Sequence, residues 1–471
     1  MQERKQGKLI RSLGLFSVFV LVVSSVIGSG IYKKVAPMSA ELQSPIWVLV
    51  CWALAGVITL CGALSNAEVA GLLAESGGEY VYYQKIYNKF FAFLFGWSCF
   101  TAIRSAAAAS IAYVFAQSFN SLLPLPDLPE GWAKLSIFDV FTPFDNFGVK
   151  AAAMLLILIL SYVNYRGLKL GEGLSKIVLL IVVGSIVLII GLGLTIGGGS
   201  FANFQTPAAG FVSSSTWLDT GFLGPVFAAL LAAFWAYEGW SPIGYIGGEI
   251  KNANRNLPLA LIFGVLFVVL VYVSINFTYL FVLPIDQIIR VNQTQNTIAA
   301  VEVIRHFLGS GGVLFISLVI LLTTFGATNT TLLTPPRLYY AMAKEGVFFK
   351  GASYIHPEYN TPSKAIAMQA VWAGVLVLSG SFDQLTDMLV FASFIFYGAT
   401  ALGVFVLRVK MPDAHRPYKA WGYPVVPALF ILFCILLVVV TSLAKPREAL
   451  FGLSLMLTGV PFYIYWQKNE D

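Results

Sequence analysis

Charge is what this 471-residue chain has least of: 11% of its residues are Asp, Glu, Lys or Arg, against 58% hydrophobic. A soluble chain carries about 25% charged residues. With less than half of that, this one cannot cover a water-soluble globule with polar surface. Histidine is scarce too. His306, His356 and His415 lie far apart along the chain and read as surface residues. The four cysteines, Cys51, Cys61, Cys99 and Cys434, fall in apolar stretches and read as small buried residues, with neither a disulfide framework nor metal-ligand spacing. No metal and no cofactor is therefore expected. The formal charge of +6 is scattered through short loops and lacks the basic cluster that nucleic-acid binding requires.

What the chain has instead is apolar runs of about 20 residues, each long enough to span a bilayer as a helix, recurring from end to end at a mean hydropathy of +0.79. The pattern predicts an all-α polytopic membrane protein with twelve transmembrane helices. They fall at about 12–38, 45–73, 90–121, 149–166, 172–197, 220–250, 257–284, 311–344, 363–381, 384–408, 422–444 and 448–467. The first run is itself long enough to span, so it reads as a span and not as a cleaved signal. With residue 1 inside, nineteen of the 29 Lys and Arg fall in cytoplasmic loops and eight in external ones. That bias predicts a cell-membrane protein with both termini cytoplasmic. Residues 122–147 form the longest external connection, 75–89 an amphipathic segment along the interface, and 345–362 a further cytoplasmic link.

Two spans are interrupted near their middles. The first carries Val26-Ile27-Gly28-Ser29-Gly30-Ile31 and the sixth Phe234-Trp235-Ala236-Tyr237-Glu238-Gly239-Trp240. A helix broken at membrane depth leaves polar backbone that lipid cannot satisfy, and paired breaks in corresponding positions of two halves point to a transport site. Spans 1–5 and 6–10, an odd number each, would form a 5+5 inverted repeat with helices 1 and 6 broken. The expected divisions are 1–11, an N-terminal tail; 12–197, the first repeat; 198–410, the second; and 411–471, the last two helices and the C-terminus.

The chemistry of the breaks is specific. At Gly28 and Gly30 the backbone can leave the helix. The second half-helix of span 1 then starts near Gly30 with its positive end at the membrane centre. The N–H groups of Ser29, Gly30 and Ile31, with the Ser29 hydroxyl, would hold a carboxylate. Span 6 presents the opposite end of a helix there, with the carbonyls of Phe234, Trp235 and Ala236 suited to an ammonium. Together they describe an α-amino acid site. Close packing of glycine-bearing helices and of aromatics is the plainer alternative for each break alone. Pro242, Gly244, Gly247 and Gly248 further weaken the helix beyond the second break.

Charges inside spans are costly, roughly 2.5–3.5 kcal/mol on insertion scales. Lys176, in Ser175-Lys176-Ile177, reads either as a snorkelling side chain or as a fixed cation where another transporter binds Na⁺. Arg104, followed by Ser105-Ala106-Ala107-Ala108-Ala109-Ser110, reads as a structural anchor in a tightly packed helix. Glu238 could accept a proton, line the pathway or face a water-filled cavity. Glu249 is expected to pair with Arg255.

Several segments resemble the amino acid–polyamine–organocation superfamily, and within it the bacterial branch of the L-amino acid transporter family. They are Ile27-Gly28-Ser29-Gly30-Ile31; Ala67-Glu68-Val69 with Ser76-Gly77-Gly78-Glu79-Tyr80; Ile103-Arg104-Ser105 with Val114-Phe115-Ala116; Ala236-Tyr237-Glu238-Gly239-Trp240 with Asn254-Arg255-Asn256-Leu257-Pro258; and Phe325-Gly326-Ala327 with Pro336-Arg337-Leu338-Tyr339-Tyr340. The resemblance covers nearly the full chain. It implies a substrate site at Ile27 to Ile31 and around Glu238, a helix 7 tyrosine, Tyr272, near the substrate vestibule, and Lys176 in the space of a sodium site. It also implies sodium-independent exchange; the aromatic and small residues around the breaks suit a neutral side chain, so the expected function is exchange of neutral L-amino acids by alternating access. Animal members join a glycoprotein subunit through a cysteine in the second external loop. Residues 122–147 contain no cysteine, so no disulfide-linked accessory subunit is expected, and the partners are a small-molecule amino acid and membrane lipid. Position 238 is Glu where some members carry a smaller residue, which leaves pocket size open.

Two further transport-class readings stand beside this one. One is proton-coupled symport with Glu238 or Lys176 carrying the proton. The other is a channel, which would show a continuous polar ring. A polytopic membrane enzyme would need converging acid/base or metal groups that the histidines and cysteines do not supply, so no enzymatic activity is expected.

Overall fold

The computed structural model describes residues 9–133, 135, 143–211, 220–293, 298–379, 382–444 and 446–468. Residues 1–8 of the expected N-terminal tail, and Lys134 in the long connection, lie outside the described residues. The described chain is helical, with β-bridges only at isolated pairs.

The first interrupted span is α1 (Leu15–Val26), α2 (Gly30–Lys33) and α3 (Val35–Leu42). Ser44 and Pro45 start α4 (Pro45–Leu72), with proline at the helix start where its missing N–H costs nothing. A loop leads to α5 (Glu79–Ile86). Then α6 (Lys89–Ser98) is capped by Asn88, whose side chain accepts from Phe91 N–H at 2.8 Å. One π-helical turn, Cys99–Ile103, joins it to α7 (Arg104–Leu122). After the short α8 (Glu130–Ala133) come α9 (Phe147–Tyr165), α10 (Leu168–Thr195) and the short α11 (Ala202–Gln205). The second interrupted segment is α12 (Thr220–Tyr237), followed by two 3₁₀ turns at Ser241–Tyr245 and Gly247–Glu249 and then α13 (Ala253–Val282).

The short α14 (Ile285–Gln293) precedes α15 (Ala299–Leu333), which bends at Gly309, a residue held at φ 60°. The expected eighth span, 311–344, begins just past that bend, and Pro335 and Pro336 divide it again before α16 (Pro336–Lys344). The remainder is α17 (Ser363–Ser379), α18 (Phe382–Lys410), α19 (Val425–Ala444), α20 (Pro446–Leu457) and α21 (Gly459–Gln467).

Among the described residues nine helices are long and apolar enough to cross a membrane. Leu15–Val26 and Ser363–Ser379 are apolar but shorter. This is a multi-pass membrane protein, and its outer faces carry leucine, isoleucine and valine where a soluble protein would carry charge. Two groups of helices organise the interior. α1 packs on α13, α13 lies along α4, and α4 packs on α12; α7, α9, α10 and α15 form a second group against which α1 also rests. The interrupted segments cross where these groups meet.

Beyond the second break the chain is stitched to two other segments. Ser12 and Leu13 N–H both donate to Glu249 O, at 2.9 and 3.1 Å, and Lys251 N–H donates to Leu13 O at 2.8 Å. On the other flank Gly77 N–H donates to Tyr245 O at 3.0 Å, and Ser76 bridges Ile246. Glu249 is buried and paired with Arg337, whose Nε lies 2.8 Å from Oε1. The expected partner, Arg255, is exposed. Arg337 wins because α16 brings it under the segment, where it is wholly buried and needs a counter-charge.

Candidate substrate site at the crossed helix breaks

At the first break α1 makes its last regular bond from Ile27 N–H to Val23 O at 2.9 Å. Ile27 then turns extended, at φ −70° and ψ 95°. The helix resumes with Tyr32 and Lys33 N–H donating to Ser29 O, each at 3.2 Å, and with Lys34 N–H to Gly30 O at 2.9 Å. The N–H groups of Ser29, Gly30 and Ile31 thus open the new half-helix, as the sequence led us to expect. The Ser29 hydroxyl is buried and makes no hydrogen bond.

At the second break α12 ends at Tyr237 and Gly239 adopts φ 115°. A side chain there would meet Ser25 O at 2.3 Å, so only glycine permits the crossing. Ser25 Oγ donates to Gly239 O at 2.7 Å. A Cβ on Gly30 would stand 2.5 Å from Ala236 Cβ. The two breaks are therefore in backbone contact. Tyr272 Oη lies 2.8 Å from Val26 O and 3.0 Å from Ala236 O, so one hydroxyl proton serves the carbonyl ends of both half-helices. Trp52 holds the Tyr272 ring edge-on at 5.7 Å.

A cavity opens beside the crossing. Of the residues that the sequence marked for the site, Gly28, Ser29, Gly30, Trp235, Ala236 and Glu238 line it. Ile27 and Ile31 are buried in packing instead. Phe234 turns away into an aromatic cluster with Phe394 and Phe433, at 4.9 and 5.0 Å. Tyr272 lies behind the crossing as its clasp and does not line the cavity. Two of the three carbonyls expected to meet an ammonium are engaged: Trp235 O takes Glu238 N–H at 3.3 Å and Ala236 O takes Tyr272. Lys176 is also away from the cavity. Its ammonium pairs with Glu172 one turn earlier, sits 6.0 Å from the Phe16 ring centroid, and keeps a third of its side chain exposed.

The residue that sequence reading assigned to packing is the one the cavity shares. Arg104 Nη1 donates to Glu238 Oε1 at 3.0 Å, and both side chains are buried. Tyr397 Oη reaches both Glu238 oxygens at 2.6 and 2.8 Å, and Trp240 stacks on its ring at 5.0 Å. Each charge cancels the other in a setting where either alone would cost several kcal/mol. The opposite wall is α15, through Thr330, Thr331 and Thr334. The sequence signal for it is the concentration of threonines at 323–334 within an otherwise apolar span. The arrangement has room for a small polar molecule, with helix-start N–H groups and an unpartnered hydroxyl on one side and the negative end of α12 beside the neutralised Glu238 on the other.

The model of the family described as "Amino acid permease" matches residues 13–464. Among curated proteins, the b(0,+)-type amino acid transporter 1 of Homo sapiens is 31% identical over 466 residues, covering 98% of this chain and 89% of the relative. The serine/threonine exchanger SteT of Bacillus subtilis (strain 168) is 28% identical over 468 residues, with 98% of both chains covered. The cystine/glutamate transporter of Homo sapiens is 28% identical over 475 residues, covering 99% of this chain and 88% of the relative.

Proposed function

The chain belongs to the amino acid permease family and is an amino acid transporter, and we propose that it exchanges neutral L-amino acids by alternating access, independently of sodium. The single observation that carries the neutral-substrate reading is the Arg104–Glu238 pair. A cavity whose lining ion pair is closed on itself offers no net charge to a charged side chain. The substrate carboxylate goes to Ser29, Gly30 and Ile31, beside the unpartnered Ser29 hydroxyl. The ammonium goes to the α12 end, next to Glu238. Exchange is supported by the relatives, since one is named as a serine/threonine exchanger. Sodium independence rests on the family resemblance, which puts Lys176 of the fifth span in the space of a sodium site.

The architecture belongs to the same proposal. Twelve spans form two inverted five-span units, 12–197 and 198–410, followed by 411–471, with both termini cytoplasmic and no disulfide-linked subunit. The two interlocked helix groups, each drawing members from both halves of the chain, support it.

The test is counterflow in liposomes holding the purified protein. Labelled serine or alanine outside should enter only vesicles preloaded with a neutral amino acid, equally with sodium or potassium, and neutral amino acids should compete better than charged ones. Strong uptake into empty vesicles driven by a proton gradient alone would exclude obligatory exchange.

A further inference from the structure

Glu79 begins α5, between the spans, and is 1% exposed. Neither of its carboxyl oxygens makes a well-formed hydrogen bond; its own backbone N–H and the Ser241 hydroxyl are the donors that stand close enough to pull on it. An ionised carboxylate in such a place is among the costliest groups a protein can bury. One wall beside it is the segment of 3₁₀ turns after the second break. A Cβ on Gly244 would lie 3.6 Å from Glu79 Oε2 and 3.1 Å from Tyr82 Oη, and Tyr82 Oη is itself buried without a partner. The charged and titratable groups facing Glu79 are Cys99 and Arg104 from the α6–α7 region, Glu238 and Tyr245 from the second break, and Tyr82 and Tyr83 from its own helix, with the Ser241 hydroxyl nearby. Arg104 is committed to Glu238, so that pair presents little net charge to Glu79.

The same residues form a closure. The loop before Glu79 is zipped to Tyr245 and Ile246. Gly78 is so close to that segment that a Cβ on it would lie 2.8 Å from the carbonyl carbon of Gly244. Opening this seam brings water to Glu79.

We propose that Glu79 is a proton-binding site, and that the bound proton holds the seam between 75–78 and 241–249 closed. This rests on the transporter reading, in which the seam is the cytoplasmic closure of the pathway. Burial raises the Glu79 carboxyl from 4.5 to about 7, against the weaker pull of its own backbone N–H, of Arg104 and of Ser241. A proton held more tightly in the closed state than in the open one favours closure at low pH. The preference for the closed seam is complete below the range of an exposed Glu, fades as pH rises, and is gone above about 7. Within that window each pH unit raises the open-to-closed ratio by up to about tenfold.

The experiment uses the full chain in liposomes. Deuterium uptake by peptides covering 74–78 and 241–251 is measured from about pH 5 to about pH 8, corrected for intrinsic exchange. In the wild type, protection should fall by at least about tenfold across that range. In Glu79→Gln, neutral at every pH, it should stay high throughout. An unchanged pH dependence in Glu79→Gln, or none in the wild type, overturns the proposal. If Glu79→Gln does not fold, infrared spectra decide. The wild type should show a protonated-carboxyl band that titrates away through about pH 7, and Ser241→Ala should move that midpoint upward. No such band, or a midpoint indifferent to Ser241, overturns it. Neither readout depends on which substrate is carried or on exchange itself, so a failed counterflow assay and a failed proton site are separate results.

Discussion

Gly28 and Gly30 are two residues apart and serve the first break differently. A Cβ on Gly30 would collide with Ala236 at 2.5 Å, whereas one on Gly28 would meet Ala327 Cβ and Val26 O at an ordinary 3.7 and 3.8 Å. Gly30→Ala should therefore force the two half-helices apart, with a destabilisation of about 1–3 kcal/mol from overpacking read as a lower melting temperature of the purified protein. Gly28→Ala should melt with the parent but raise the KM for exchange, because its methyl group takes space from the cavity. Equal melting temperatures for the two variants would contradict the close crossing. The glycines themselves were legible in the sequence, since a Gly-x-Gly pair inside an apolar run is a local signal. The Arg104–Glu238 contact was not. Its partners are 134 residues apart, and no local pattern tells an intramembrane arginine which carboxylate it will meet.

At the level of elements, the main departure from the sequence reading is the segment 238–251. Hydropathy carries the sixth span to residue 250, but the helix ends at Tyr237. Gly239 takes a positive φ to clear Ser25 O, and the chain beyond it continues as short 3₁₀ turns tied by hydrogen bonds to other segments, with no α-helix until Ala253. Pro242 and three glycines had signalled the weakness, but only packing shows what replaces the helix. Glu249 is the anchor. Its pairing with Arg337 is fully buried, and removing one partner of such a pair costs about 3–5 kcal/mol, whereas an exposed charge such as Arg255 contributes about 0–1 kcal/mol. Glu249→Ala should thus lower the melting temperature sharply and expose 241–251 to deuterium exchange, with Arg255→Ala close to wild type. The reverse order would restore the pairing that sequence proximity suggested.

The whole molecule was legible to the extent that membrane insertion and interrupted helices follow from composition and spacing; the interlocking of its two helix groups was not, because it depends on which faces of similar apolar helices meet. That interlocking makes a mechanical demand. If the α1–α12 crossing carries substrate, the bundle of α1, α4, α12 and α13 must move against α7, α9, α10 and α15. The two groups touch at Ser24 on α1 and Thr330 on α15, whose hydroxyls are 3.3 Å apart. Cysteines at both positions, with the four native cysteines replaced by alanine, place two thiols near disulfide range. Oxidation should then abolish counterflow and reduction restore it, while each single cysteine stays insensitive to oxidant. Exchange that continues at full rate once the crosslink has formed would mean that α1 and α15 move as one body, and the alternation would have to be assigned to other elements.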